Sequence, residues 1–285
     1  MRWSPWAIWL GTAGALLAAL LAVQTLLGRI PVGPNGSWKD LRIAVVHCLL
    51  MAYFPAATAS VLQRTARTLD ALRPRLPWSD AEHGEVRSGL VRLASPGLYL
   101  LVAIGLLGAI VGPSLTEPGR TVLAWWQPAS WSPEVWWHRV PGLGIGVWFG
   151  VFTHVLLASS ARLSRISAQV KIDLFDLSPL VPFTQQGLNN GLLAVGPLAM
   201  YGLISVDFGL TPMLGVVFAS ALVLVSAALL LPVRGAHLRI VAAKKAELAW
   251  CAEAVEAERK AVRGQHTAGA GGRFADLLAY QTLWS

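Results

Sequence analysis

Six blocks of apolar residues, almost free of charge, constrain this chain more than any other feature. They run over residues 6–27, 41–62, 97–115, 140–158, 188–206 and 212–231, and Arg42 is the one charged residue inside them. A bilayer core about 30 Å thick needs roughly 20 apolar residues in a helix, and each charge placed in it is costly. The sequence therefore predicts an all-α integral membrane protein with about six transmembrane helices.

Composition excludes the usual soluble classes. Charged residues make up only 13% of the chain, against about a quarter in soluble domains. The first block is too long for the core of a signal peptide, and residues 26–29 offer no cleavage pattern of small residues. We therefore expect the first block to remain as a membrane span.

The distribution of basic residues predicts the orientation. Eighteen of the 23 Lys and Arg residues lie before block one or in the segments after blocks two, four and six, and five lie in the alternate segments. Basic residues are retained on the cytoplasmic side. The prediction is a multi-pass protein of the inner cell membrane with both termini in the cytoplasm. Membrane lipids are the expected partners of this basic rim, and a nucleic-acid partner is not expected because the charge follows topology.

Beyond the last block the apolar residues recur at alternating spacings of three and four, which is the heptad pattern of a coiled-coil seam. The seam comprises Leu238, Val241, Leu248, Ala252, Val255 and Val262, with Lys245 and Arg259 at the two remaining positions. The chain is thus predicted to divide into a transmembrane domain over 1–232, a cytoplasmic amphipathic helix over 233–263, and a flexible linker with a short apolar helix over 264–285. Pro232 predicts a kink at the membrane exit.

Two predicted cytoplasmic loops carry recognisable local signals. Ser79 and Glu82 have capping-box spacing, so we expect a solvated helix over 80–93 lying along the membrane. Residues 172–183 alternate acidic and bulky apolar residues, which predicts an elbow that turns Asp173 and Asp176 toward water or toward basic neighbours.

The loop after block three concentrates five tryptophans, namely Trp125, Trp126, Trp131, Trp136 and Trp137. Indole rings prefer the headgroup zone, where an apolar ring and a polar N–H are both accommodated. The pattern favours a loop anchored on the membrane surface, with an aromatic ligand cage as the alternative.

Small and polar residues mark two helix faces. Gly142, Gly146 and Gly150 predict a close helix-packing seam on block four. Asn189 and Asn190, at the start of block five, are candidates either for pore lining or for hydrogen bonds between helices.

No arrangement of residues predicts catalysis or a structural metal. The chain lacks a phosphate-binding glycine loop, a nucleophile elbow, HExxH and CxxC. The sequence therefore predicts no catalytic residues, no metal and no cofactor. His47 and His138 lie near one predicted level and are candidates for the two axial ligands of a haem.

These patterns leave three functions open. The leading hypothesis is a non-enzymatic sensor, regulator or assembly factor, a homo-oligomer that couples its membrane bundle to a cytoplasmic protein partner. The first alternative is a passive channel or facilitator, and the second is a haem-bearing electron carrier through His47 and His138.

Overall fold

The computed structural model describes residues 4–26, 38–90, 94–116, 121–127, 133–170, 178–208, 212–264, 275–276, 279–280 and 282. Within these residues all regular structure is helical, as predicted. The α-helices are α1 (Pro5–Leu26), α2 (Trp38–Leu72), α3 (Asp80–Gly89), α4 (Pro96–Thr116), α5 (Val122–Trp125), α6 (Pro133–Ser167), α7 (Val181–Phe208) and α8 (Pro212–Gly264). Short 3₁₀ turns occupy Arg73–Arg75 and Ser178–Leu180.

Five helical segments of the described chain are long and apolar enough to cross a membrane. They are Pro5–Leu26, Leu41–Arg75, Pro96–Ser114, His138–Ser167 and Leu214–Ala257. Many outward side chains on them are apolar and exposed, as contact with lipid requires, including Ile8, Leu10, Leu100, Leu107, Leu222 and Val223. The architecture is therefore compatible with a multi-pass membrane protein. The predicted block over 188–206 lies in α7, which is not among the five.

Helices α2 and α6 form the centre of the bundle. Helix α1 packs on α2, α4 packs on α6, α7 packs on both α2 and α8, and α8 also packs on α6. The main core lies between these helices, and its buried side chains include Val46, Phe54, Val61, Phe152, Leu156, Leu193 and Ala228. Two hydrogen bonds tie flanking helices to α2: Trp9 Nε1 donates to the Leu49 carbonyl at 3.2 Å, and the Tyr53 hydroxyl donates to the Leu193 carbonyl at 2.9 Å.

A second hydrophobic core lies at the end of the bundle where α2 and α6 end, and we call it the stalk-end core. It contains Leu69, Leu72, Leu76, Leu90, Leu163, Ile166, Val170 and Phe183. Helices α2 and α6 have 35 residues each, or about 50 Å at 1.5 Å per residue, which exceeds a hydrocarbon core of about 30 Å. Leu76 and Leu90, on either side of α3, are buried in this core, whereas most of α3 itself is exposed, in agreement with the solvated helix predicted there.

Helix α3 begins with the predicted capping box. The Ser79 hydroxyl accepts the Glu82 backbone N–H at 3.3 Å, and the Glu82 carboxylate accepts the Ser79 backbone N–H at 2.8 Å. The bonds from Ser79 lower the pKa of the Glu82 carboxyl below its ordinary value. The helix ends at Gly89, and residues 91–93 of the predicted helix lie outside the described residues.

Asp70 of α2 holds α3 in place. Its carboxylate accepts a bond from Arg87 at 2.9 Å and lies 3.7 Å from His83 Nε2. His83 is only 7% exposed, so this side of α3 faces the stalk-end core. Just before α3, Trp78 packs against the same core, and its Nε1 donates to the side chain of Gln169, just after α6, at 3.0 Å. These contacts fix α3 against both central helices.

Helix α8 is continuous over 53 residues. At 1.5 Å per residue it is about 80 Å long, so it projects well past the stalk-end core. We call the projecting part, residues 237–264, the stalk. The predicted domain boundary at 232/233 falls inside this helix, because the helical backbone runs on through the buried Pro232.

Candidate functional site

Five polar side chains separate the main core from the stalk-end core, and we call them the polar layer: Thr65, Thr68, Ser160, Gln186 and Asn190. Asn190 and Ser160 are 0% exposed, Thr65 is 1% exposed and Gln186 is 2% exposed. A polar group at such burial is costly unless it is hydrogen-bonded. The bonds within the layer therefore determine how the three helices that supply it fit together.

A connected set of hydrogen bonds satisfies this layer. Asn190 Nδ2 donates to Ser160 Oγ at 3.0 Å, and Gln186 Nε2 donates to Asn190 Oδ1 at 2.9 Å. Gln186 Nε2 also reaches Thr65 Oγ1 at 3.4 Å, while Thr68 Oγ1 donates to Gln186 Oε1 at 3.3 Å. The layer thus joins α2, α6 and α7.

The two candidate asparagines have different positions. Asn190 lies in the polar layer, with both its amide oxygen and its amide nitrogen bonded to protein. Asn189 is half-buried and takes no part in the bonds of the layer. Sequence reasoning missed Gln186, although it precedes Asn190 by four residues, a spacing that places both side chains on one face of a helix.

Glycines seat α8 against α7 and α6. A Cβ on Gly187 would lie 2.8 Å from the Leu229 carbonyl oxygen, and one on Gly191 would lie 2.8 Å from the Leu229 side chain. A Cβ on Gly235 would overlap the Ser164 carbonyl oxygen. The helix from which the stalk projects is therefore in backbone contact with two helices that also supply the polar layer.

The predicted glycine seam on α6 faces α4. A Cβ on Gly146 would lie 2.5 Å from the Gly105 carbonyl oxygen, and one on Gly150 would lie 2.6 Å from the Val102 Cα atom. Gly142 lies outside this contact, because a Cβ there would meet no atom within 4 Å. The close approach therefore covers the last two glycines of the predicted set.

The predicted heptad seam lies along the stalk. Leu238 is 59% exposed and Ala252 is also exposed, whereas Val241, Leu248 and Val255 are half-buried. The side chain of Val262 lies outside the described residues.

A C-terminal residue folds back onto the stalk. The Tyr280 hydroxyl donates to the Glu247 carboxylate at 2.7 Å, and its ring meets that of Trp250 edge to face at 6.3 Å. Of the linker and short apolar helix predicted over 264–285, residues 265–274, 277–278, 281 and 283–285 lie outside the described residues.

His47 and His138 meet across α2 and α6. Their ring centroids are 5.4 Å apart, and His47 Nδ1 donates to the Ile43 carbonyl at 2.7 Å. The two rings are in contact, with their planes inclined at 56°. The haem hypothesis stays a prediction.

Trp125 and Trp126 enclose a cation supplied by the chain itself. The Arg139 guanidinium carbon lies 5.1 Å from the Trp125 ring centroid and 5.4 Å from the Trp126 ring centroid. Trp126 Nε1 also donates to the Ile110 carbonyl at the end of α4, at 2.9 Å. These rings therefore clamp α5 onto α4 and α6, while Trp136 is 48% exposed.

Within the described residues no group of three His, Cys, Asp or Glu side chains could hold a metal ion. Cys48 and Cys251 are free and buried. Asp173 and Asp176 of the predicted elbow lie outside the described residues. Comparison of the chain with family models, with curated proteins and with solved structures finds no match. Its function is therefore inferred from its own residues and contacts.

Proposed function

We propose that this chain is a non-enzymatic protein of the inner cell membrane that acts as a sensor, regulator or assembly factor. It passes the state of its helix bundle to a cytoplasmic partner through the stalk. The observation that supports this proposal is the close contact between α8 and α6, where Gly235 lies against the Ser164 carbonyl oxygen. A helix held backbone to backbone cannot remain in place when the helix beneath it moves.

The polar layer supplies the other half of the coupling. It joins α2, α6 and α7 by buried hydrogen bonds, and α7 in turn contacts α8 through Gly187 and Gly191. A rearrangement of the layer would shift α7 and α6, and both shifts act on the same long helix. Because Asn190 bonds within the layer, its geometry favours this role over pore lining.

A second copy of the chain is the partner that best fits the stalk. Leu238 and Ala252 are exposed at heptad positions of a helix that projects from the bundle, and pairing two such seams would bury them. Lys245 and Arg259 place charges on the seam. These charges limit the stability of the paired stalks and favour a pair whose arrangement can change. A cytoplasmic protein bound to the paired stalks would then read their arrangement.

The oligomeric state tests the seam. We expect Leu238→Glu combined with Leu248→Glu to reduce the purified full-length chain in detergent from an oligomer to a monomer, as measured by native mass spectrometry. The matched control is Ala246→Glu with Ala257→Glu, which adds the same charge at exposed positions on the opposite face of the helix. A wild-type chain that is monomeric in a membrane environment would contradict the paired stalk.

Cross-linking between stalks tests the coupling. In a chain with Cys48→Ser and Cys251→Ser, the reporter Ala252→Cys should form an intermolecular disulfide whose rate reports the arrangement of the stalks. We expect Asn190→Leu to change that rate severalfold because it breaks the polar layer, and Asn189→Leu to leave it unchanged. Equal rates in the two variants would show that the layer and the stalk are not coupled.

A further inference from the structure

A small cavity lies between α2, α6 and the residue that follows α3. Its volume is about 20 Å³, and it is lined by Leu62, Leu90, His154, Val155, Ala158, Ser159 and Arg162. A space of this size admits one water-sized group. Arg162 is the charged side chain of this lining, so the chemistry of the cavity follows from how its guanidinium is satisfied.

The Arg162 guanidinium has one partner in the described part of the chain, and that partner is neutral. One of its N–H groups donates to the Gly89 carbonyl at 2.6 Å. Within the described residues no carboxylate lies within ion-pair distance of it. Arginine carries five N–H donors and the bond to Gly89 uses one of them, so several donors of this half-buried cation are not used by the described residues.

Ser95 and His154 add a further hydrogen-bond donor beside the cavity. We call the place where Arg162, His154 and Ser95 meet the corner. Ser95 Oγ lies 3.2 Å from His154 Nε2 and also accepts the Leu98 backbone N–H. If the hydroxyl donates to Nε2, the neutral imidazole keeps an N–H at Nδ1; if Nε2 donates, the hydroxyl keeps its proton. In either tautomer one donor of this pair remains for another acceptor.

The corner therefore offers hydrogen-bond donors and a positive charge, and no carboxylate among the described residues balances that charge. Helix α4 begins beside it at Pro96, and the positive end of a helix dipole adds to the same field. A phosphate group matches this chemistry, since its oxygens accept several bonds at once from guanidinium and N–H or O–H donors.

We propose that this corner binds a phosphate group, with Arg162 as the main ligand and the His154 and Ser95 pair as the second. One phosphate oxygen would enter the cavity and the remainder would stay at its mouth. Pro96, the first residue of the candidate span Pro96–Ser114, lies beside the corner. With that span across the membrane, the corner would lie at the depth of the phosphate of a lipid headgroup. This inference does not depend on the proposed coupling function.

Lipid retention tests the site. The purified full-length chain would be loaded with phosphatidylglycerol or phosphatidylcholine, and the bound lipid counted by native mass spectrometry. Loss of a charge-assisted hydrogen bond weakens binding about tenfold or more, so we expect Arg162→Gln to lose most of the retained phosphatidylglycerol. Gln removes the positive charge while keeping a polar amide at this position.

Arg165→Gln is the matched control, because Arg165 lies one turn further along α6 and is exposed. It removes the same charge and should leave lipid retention within about twofold of wild type, as expected when bulk surface charge contributes weakly. His154→Gln should lie between the two. Thermal unfolding of every variant shows whether a loss of binding reflects a loss of fold.

A soluble ligand gives a different pattern. If inorganic phosphate or glycerol 3-phosphate binds the wild-type chain in calorimetry and Arg162→Gln abolishes that binding, the site takes a free phosphate rather than a headgroup. The proposal is overturned if neither lipid nor soluble phosphate shows a dependence on Arg162. It is also overturned if Arg165→Gln causes the same loss as Arg162→Gln.

Discussion

Gly235 of α8 lies directly against the carbonyl oxygen of Ser164 on α6, so these two helices touch backbone to backbone. The contact lies beside the stalk-end core, where Val233 also packs. It is the last close contact of α8 with the bundle, among the glycine contacts of this helix, before the stalk begins. Its consequences for stability and coupling can be measured directly.

Gly235→Ala should force α8 away from α6. The new Cβ would overlap the Ser164 oxygen, which is backbone and cannot move aside, so we expect a loss of about 1 to 3 kcal/mol, as for other overpacked sites. Thermal unfolding of the detergent-solubilised chain measures this loss. Gly215→Ala lies on the same helix and meets no atom within 4 Å. It should therefore be neutral or slightly stabilising, and equal effects of both variants would refute the contact.

Gln186→Leu should destabilise the polar layer. It removes the bonds of Gln186 to Thr65, to Thr68 and to the amide oxygen of Asn190, and each unsatisfied buried group costs about 1 to 3 kcal/mol. The neighbouring Gln185 is exposed, so Gln185→Leu should change stability by at most about 0.5 kcal/mol. Chemical unfolding of the two variants in the same detergent makes the comparison.

Gly146→Ala should weaken the contact between α4 and α6. Its Cβ would lie 2.9 Å from the Ala109 Cβ and closer still to the Gly105 backbone, so a cost of about 1 to 3 kcal/mol is expected. Gly142→Ala on the same helix should instead gain up to about 1 kcal/mol from helix propensity. The result would contradict the seam if Gly142→Ala were the more damaging change.

Acid should loosen the start of α3. The bonds from Ser79 lower the pKa of Glu82 relative to the unfolded chain, so their stabilisation is present at neutral pH and is lost as the pH falls through that lowered pKa. Hydrogen exchange of the α3 amides, corrected for intrinsic rates, should accelerate in acid. Glu82→Gln should remove most of this pH dependence, whereas Glu85→Gln, at an exposed position of the same helix, should retain it.

Local signals in the sequence predicted the helices well. The apolar blocks, as far as they are described, lie in long helices, which is the structure expected of a charge-free stretch of that length placed in lipid. Ser79 and Glu82 predicted the start of α3 because a capping box involves only neighbouring residues.

Local sequence patterns did not predict the contacts between segments that are distant in the chain. Asp70 and Arg87 are 17 residues apart, and no periodicity indicates that a turn would bring them together. The stalk-end core was missed for this reason. Gly187 and Gly191, by contrast, carry the same small-residue spacing as Gly146 and Gly150, so the seat of α8 on α7 could have been predicted.

The polar layer restricts how the bundle can move. A slide of α7 by half a helical turn, about 2.7 Å, would stretch the bonds from Gln186 to Thr65 and from Asn190 to Ser160 beyond hydrogen-bonding length, while the bond between Gln186 and Asn190 within α7 would remain. Axial piston motion of α7 is thereby penalised, whereas a tilt or a rotation about the layer keeps its bonds. The layer acts as a pivot, and displacement at one end of the bundle should reach the far end of the stalk as a lateral swing.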